Sequence, residues 1–215
     1  MSSPPPAVPR TRTSAGTRRR DQILEGALRC FDRLGVTATT VDDIRAESGA
    51  SVGSIYHHLG SKGDILATLY SEAVSAYRSG LLDALRSEPD VRRALRGAVR
   101  FHVGWMEGHQ HLARLMLRWD ESELTHSGRV RLRKEAGRFN QELGAWLDEA
   151  AGRGVIRRLA PELYAALLVG PLLEYGRRQV YSMTTLPAEE IVPELAEAIW
   201  TSLAAEAHPH RRSVR

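Results

Sequence analysis

Cysteine is almost missing: Cys30 is the single one in 215 residues. One thiol can build neither a disulfide framework nor a cysteine-based zinc site, and such usage suits a reducing cytoplasm. Lysine is nearly missing too. Lys62 and Lys134 are the two lysines among 30 basic residues, and arginine supplies the rest, a bias that reports a GC-rich genome more than a mechanism. No run of 18 apolar residues occurs, so no membrane-spanning helix and no membrane partner are expected. The N-terminus, MSSPPPAVPRTRTSAGTRRR, has no apolar h-region, which argues against a secretory signal; its composition would suit a transit peptide, but a flexible arm is the preferred reading. Strand patterns and internal repeats are lacking, and low complexity is confined to the two tails. A P-loop, a G-x-S-x-G elbow, an H-E-x-x-H helix and a dinucleotide fingerprint are all absent. Pairs such as Asp42–Asp43 and Glu189–Glu190 read as helix-surface acids, and His102, His109, His111 and Asp120 fit no strong metal spacing. The chain is therefore expected to be no enzyme and to carry no cofactor and no metal.

What is present is helix and positive charge. The net charge is +4, and its placement says more than its size. Residues 1–20 hold Arg10, Arg12, Arg18, Arg19 and Arg20 with no acid, and the last eight residues are HPHRRSVR. Basic tails are often only solvated, but they are also a means of touching nucleic acid. Between the tails, apolar residues recur at helical spacing almost everywhere, as in Ile23, Ala27, Leu28, Phe31 and Leu34. Gly35, Gly49, Gly60, Gly108 and Gly154 mark helix ends, and Thr40, Ser51, Ser61, Ser87 with Pro89, Pro161 and Pro187 mark starts. The expected fold is all-α, with about nine helices.

Residues 39–59, TTVDDIRAESGASVGSIYHHL, hold the pattern that carries function. Thr40 with Asp43 three residues on reads as a capping box. A helix follows, then a tight turn at Gly49–Ala50, then a second helix of barely two turns. Such a helix is marginal alone, so Ile44 and Ile55 must pack it against Phe31 and Leu34. The arrangement is a helix-turn-helix, whose second helix can enter a DNA major groove; unrelated all-α proteins use the same packing with no DNA role. Ser51, Val52, Gly53 and Ser54 are small enough to let the backbone approach bases and phosphates. Tyr56 and His57, one turn later, can reach phosphate oxygens. Lys62, opening the next helix, is placed to hold an anion.

The stretch TTVDDIRAESGASVGSIYHHLGSKGDIL resembles the signature of the TetR/AcrR family of bacterial transcriptional regulators, roughly TT-x-x-IA-x-x-AGVS-x-G-x-LY-x-HF-x-SKE-x-L. Thr40, Ile44, Gly49, Ser51, Gly53, Ile55, Tyr56, His58, Ser61, Lys62 and Leu66 match it in order. Arg45 and Ser48 stand where the family has alanines, Leu59 where it has an aromatic, and Gly63 where it commonly has glutamate. The resemblance implies a flexible basic arm over 1–17, a DNA-binding domain over 18–77 with its motif at about 40–59, a helical effector-binding and dimerisation domain over 78–207, and a basic tail over 208–215.

It also implies a cytoplasmic homodimer, nucleoid-associated when bound, that reads a palindromic double-stranded operator. Repression, relieved by a partly apolar small molecule, is the expected mode; control by a protein partner, or no effector at all, is the alternative. An enzyme that keeps the helix-turn-helix as scaffold is the reading of another class. The expected DNA contacts are Thr39, Thr40, Arg45, Ser51, Val52, Gly53, Ser54, Tyr56, His57 and Lys62. Because the recognition helix has no Arg, Lys, Asn or Gln for bidentate base contacts, Arg18, Arg19 and Arg20 are expected to add affinity, as a minor-groove arm would. Phe101, His102, Trp105, Met106, His109, Met116, Trp119 and Tyr175 are the candidate pocket wall, against the plainer reading of a helical core. Leu168, Leu172, Tyr175, Ile191, Leu195 and Ile199 are the candidate dimer contacts.

Overall fold

The computed structural model describes residues 15–118, 124–184 and 186–205. Among these residues the chain is helix and turn, apart from one isolated antiparallel bridge between Ile156 and Ala204. Two compact units divide between Leu66 and Ala67, earlier than the boundary expected near residue 77 and inside a continuous helix.

The first unit holds α1 (Ala15–Leu34), α2 (Val41–Ser48), α3 (Val52–Leu59) and the first turn of α4 (Lys62–Arg86). Its core is Ile23, Ala27, Phe31, Ile44, Ile55 and Ile65, each at most 3% exposed. Burying side chains of this size stabilises by about 1.5–3 kcal/mol each, far more than a two-turn helix gains from propensity. α1 and α2 approach closely at Gly26, where a Cβ would lie 2.8 Å from Ser48 Cβ.

The second unit holds the rest of α4, then α5 (Val91–Gly108), α6 (Gln110–Arg118), α7 (His126–Gly152), α8 (Pro161–Tyr164), a π-helical turn (Ala165–Val169), α9 (Gly170–Val180) and α10 (Ala188–Leu203). α5 is its centre. Leu95, Ala98, Val99 and Met106 are fully enclosed where α5 packs against α9 and α10. Two starts differ from the sequence reading. Asp90, which accepts from Arg93 N–H at 2.8 Å, caps α5 in place of Ser87 and Pro89. Thr125 caps α7, three residues before Gly128, where the sequence suggests the start of a long helix through Arg153. Pro171 explains the π turn: proline lacks the N–H an α-helix needs and clashes with the preceding turn, and a widened turn ahead of it takes up the misfit.

One polar pair is enclosed in this apolar interior. Tyr77 Oη lies 2.8 Å from His102 Nδ1, and His102 is fully buried. Burial pushes the imidazolium down to about 4, opposed weakly by the Leu172 carbonyl, so the ring is neutral. Burial also holds Tyr77 in its protonated form. The assignment that suits both is a Tyr77 O–H donating to Nδ1, with the ring proton on Nε2. Nε2 meets no well-aligned acceptor among the described residues.

A histidine that ionises near 6.5 when unfolded and near 4 when folded binds more protons in the unfolded chain between those values, so stability falls as pH drops through that window. The predicted loss is at most about 3 kcal/mol from pH 7 to pH 4, read as a falling melting temperature. His102→Gln, which can still accept from Tyr77, should flatten that part of the profile.

Candidate nucleic-acid interface

The helix-turn-helix begins with the expected capping box. Thr40 Oγ1 accepts from Asp43 N–H at 3.2 Å, and Asp43 Oδ2 accepts from Thr40 N–H at 2.8 Å. The Thr40 hydroxyl, which donates to Asp43 Oδ2 at 2.7 Å, and then the Thr40 N–H hold the Asp43 carboxyl below its usual range. Gly49 ends α2 at φ 63°, a left-handed conformation that glycine adopts without strain. Ser51 Oγ then accepts from Ser54 N–H at 3.1 Å and starts α3. Ser48, one of the departures from the family pattern, has a local use: it donates to the Ile44 carbonyl at 2.6 Å and accepts from Ala50 N–H at 3.3 Å, so it helps close the turn. From α1, Arg29 and Arg33 hold Glu47 at 2.7 and 3.3 Å and lower its pKa, tying α1 to α2.

α3 has two faces. Ile55 and Leu59 point inward, while Ser51, Val52, Gly53, Tyr56 and His57 are exposed. Tyr56 is 54% exposed and Val52 38%, large values for such side chains on an ordered helix. A Cβ added at Gly53 would meet nothing within 4 Å, so the glycine is not required by packing. Thr40 and Arg45 are exposed on the same motif, with Ser54 half-buried beside them. The Arg45 guanidinium pairs with Asp42 at 3.1 Å, a contact worth little in water.

Four expected contacts have other partners. Thr39 is 1% exposed, and its hydroxyl donates to the Gly35 carbonyl at 2.7 Å; it shapes the α1–α2 loop and presents nothing outward. Lys62, expected to hold an anion, donates instead to the carbonyls of Val36, Thr37 and Thr39 at 2.8, 3.2 and 2.8 Å. An ammonium has three protons, and each finds an oxygen of that loop. Arg18, Arg19 and Arg20 are not on an extended arm: helix α1 already begins at Ala15, and successive helical positions point in different directions. Arg19 Nη2 donates to the Gly49 carbonyl at 2.7 Å and Nη1 to Gln22 at 3.2 Å, and Arg20 lies 3.7 Å from Asp21. Of the three, Arg18 is the exposed one.

The candidate pocket wall in the second unit is largely interior. His102, Met106 and Trp105 are buried, with Tyr175 at 8% exposure. Burial, then the nearby Glu107, raises the Tyr175 phenol. Phe101 fills the space over Gly80, where a Cβ would lie 2.3 Å from its ring. His109 is exposed, stacked on Trp105 with ring centroids 4.8 Å apart; Met116 is half-buried, and Trp119 lies outside the described residues. Two cavities of this unit have other linings. One, of about 300 Å³, lies between α4 and α7; the other, of about 610 Å³, lies beside Arg92 and Trp200.

Four of the six candidate dimer contacts are likewise interior. Leu168, Leu172, Tyr175 and Ile199 face the subunit's own core, and Ile191 and Leu195 are half-buried. The π turn and α9 present Ala166, Gly170 and Leu173 outward instead, continuing from Leu163 on α8. Sequence periodicity marked an apolar stripe here but chose its inner side. Among the described residues no helix is long and apolar enough to cross a membrane, and no group of three His, Cys, Asp or Glu is placed to hold a metal ion.

Comparison with known proteins agrees with this geometry. The pattern described as "Bacterial regulatory proteins, tetR family" matches residues 23–69. The HTH-type transcriptional repressor Rv1474c of Mycobacterium tuberculosis is 31% identical over 177 residues, 70% of this chain and 89% of that protein. The crystal structure of PfmR, a TetR-family transcriptional regulator from Thermus thermophilus, superposes with a TM-score of 0.70 at 25% identity, covering 84% of this chain and 95% of the other. The regulator FadR of Bacillus subtilis in complex with stearoyl-CoA shares the fold, with a TM-score of 0.71 at 19% identity over 85% of this chain and 98% of that one.

The Lys62 bonds make a stability prediction that differs from a phosphate contact. Lys62→Met leaves three loop carbonyls without their charged donor and should lower unfolding free energy by about 2 kcal/mol, measured from the urea midpoint. A phosphate contact would instead leave the midpoint unchanged and alter only the salt dependence of DNA binding.

Proposed function

The chain belongs to the TetR family of bacterial regulatory proteins and is a DNA-binding transcriptional regulator; we propose that it is a cytoplasmic homodimeric repressor, released from a palindromic operator by a small molecule. The observation that carries the DNA reading is the outer face of α3: Val52, Gly53, Tyr56 and His57 are exposed on a helix that its own propensity cannot hold. Val52 suits a thymine methyl, Ser54 a hydrogen bond to either base type, and Tyr56 and His57 the phosphate backbone. Thr40, Ser51 and Arg45 flank that face and add backbone contacts, with Arg18 at the start of α1. With no bidentate base reader on α3, much of the specificity comes from close fit and DNA shape.

Release by a ligand is supported by the FadR structure, which holds stearoyl-CoA in a protein of the same fold, and repression by the name of the mycobacterial relative. The ligand acts through α4, the continuous helix that starts at the Lys62 clamp and runs into the second unit. DNA and ligand then weaken each other's binding reciprocally. Dimerisation uses the outer side of α8 to α9, where Leu163 and Leu173 are 50% and 38% exposed and Ala166 and Gly170 between them allow close helix approach. Ile191 and Leu195, half-buried on α10, complete that face.

Selection of bound duplexes from a random library, at near-physiological salt, tests the reading. The expected result is an enriched palindrome with half-sites about one helical turn apart; no enrichment, with binding that vanishes as salt rises, overturns it. In the same assay Gly53→Ala should separate stability from recognition. The added methyl has room in the free protein and improves helix propensity by about 1 kcal/mol, yet it stands between the helix backbone and the DNA and lowers affinity. For the dimer face, Leu173→Glu should give a folded monomer by light scattering, whereas a parental dimer would place the interface elsewhere.

A further inference from the structure

α10 carries charge of one sign. Glu189, Glu190, Glu194 and Glu197 are all exposed on it, and its 16 residues include no Lys, Arg or His. Glu189 and Glu190 have a local reason, since acids suit the first turn of a helix, and Glu197 is held by Arg92 of α5 at 2.6 Å. Glu194 has neither. It lies four residues after Glu190 and three before Glu197, spacings at which like charges repel on a helix surface. Among the described residues no cation pairs with it. It stands one turn after Ile191, at the edge of the half-buried Ile191 and Leu195.

α9 presents the opposite sign. Leu173 and Arg177, one turn apart, are exposed in line with Ala166 and Gly170. Arg178 is engaged by Glu174 at 2.9 Å, whereas Arg177 has no acid partner among the described residues. The stripe of small residues therefore closes on an unengaged cation. Arg177 stands three residues before the end of α9 and Glu194 six residues after the start of α10, each within about 10 Å of that helix end. Both charges thus belong to the end of the second unit where α9 gives way to α10.

We propose that α9 of one subunit lies across α10 of its partner, with Arg177 paired to Glu194 of the partner subunit, and that this pair selects a second copy of the same chain. A face with a cation on one helix and acids on the next is self-complementary under a two-fold operation, which makes every such contact twice. Packing α10 on the partner's α10 would instead set Glu190 and Glu194 against like charges. An exposed pair adds little affinity; its use is to reject wrong partners and fix the register. The inference rests on the dimer face proposed above and assigns which helices cross on it.

Sedimentation equilibrium and native mass spectrometry of the full-length protein, at near-physiological salt, test it. Arg177→Glu and Glu194→Arg should each weaken self-association at least about tenfold, and Arg177→Gln by less. The double variant Arg177→Glu with Glu194→Arg should regain the parental dimer strength to within about threefold. Mixing the two single variants should give mainly the heterodimer, because it holds two opposite-charge pairs and neither homodimer holds any. Both sites are exposed, so every variant should keep the parental helix content by circular dichroism. Single reversals that dimerise like the parent, a double variant as weak as the singles, or statistical mixing overturns the pair. If Leu173→Glu is monomeric while the charge variants dimerise like the parent, the dimer face stands and the pair falls. A parent that is monomeric throughout overturns the dimer reading and the pair with it.

Discussion

A helix of two turns cannot hold its shape in water, and α3 has eight residues with a glycine as the second. Everything around it in the first unit answers that constraint. Ile55 and Leu59 lie in a core with Ile44 and Phe31; Ser51 supplies the cap; and Gly49 and Ser48 shape the turn before it. Lys62 collects the carbonyls of Val36, Thr37 and Thr39 and so fixes the loop from which α2 starts. A rigid frame leaves the exposed face of α3 free to carry side chains chosen for what they meet, not for stability.

Where polar groups are buried, their partners separate structural parts from functional ones. Tyr77 and His102 satisfy each other at Nδ1 in an apolar interior, and the neutral ring is what burial demands. Thr39 closes its hydroxyl on Gly35. Both contacts are made inside the fold and need no ligand, although the Nε2 of the same His102 ring is left without an aligned acceptor among the described residues.

The departures from the family pattern follow the same logic. Ser48 replaces an alanine and provides two hydrogen bonds at the turn. Leu59 replaces an aromatic and stays in the core. Arg45 pairs with Asp42 on the surface and disturbs no packing.

Helix positions, caps and the helix-turn-helix were legible in the chain because they depend on local physics: 3.6-residue periodicity, a Thr–Asp box, glycines at turns. The regulatory family was legible because its motif is dense and ordered over residues 40–66. Partnerships between distant residues were not. Lys62 at a helix start and three arginines near the N-terminus looked like anion contacts, since composition cannot reveal that loop carbonyls 23 to 26 residues away would claim Lys62 or that the Gly49 carbonyl 30 residues on would claim Arg19. The apolar stripes of α9 and α10 were visible, but which side met the subunit's own core was decided by α5, packed against both. Likewise an aromatic-rich helix announced burial, while the cavity between α4 and α7 exists only because those helices, some 60 residues apart in the chain, both line it. Local pattern determines which elements form; the pairing of their faces, set by packing, determines which side chains are left over for function.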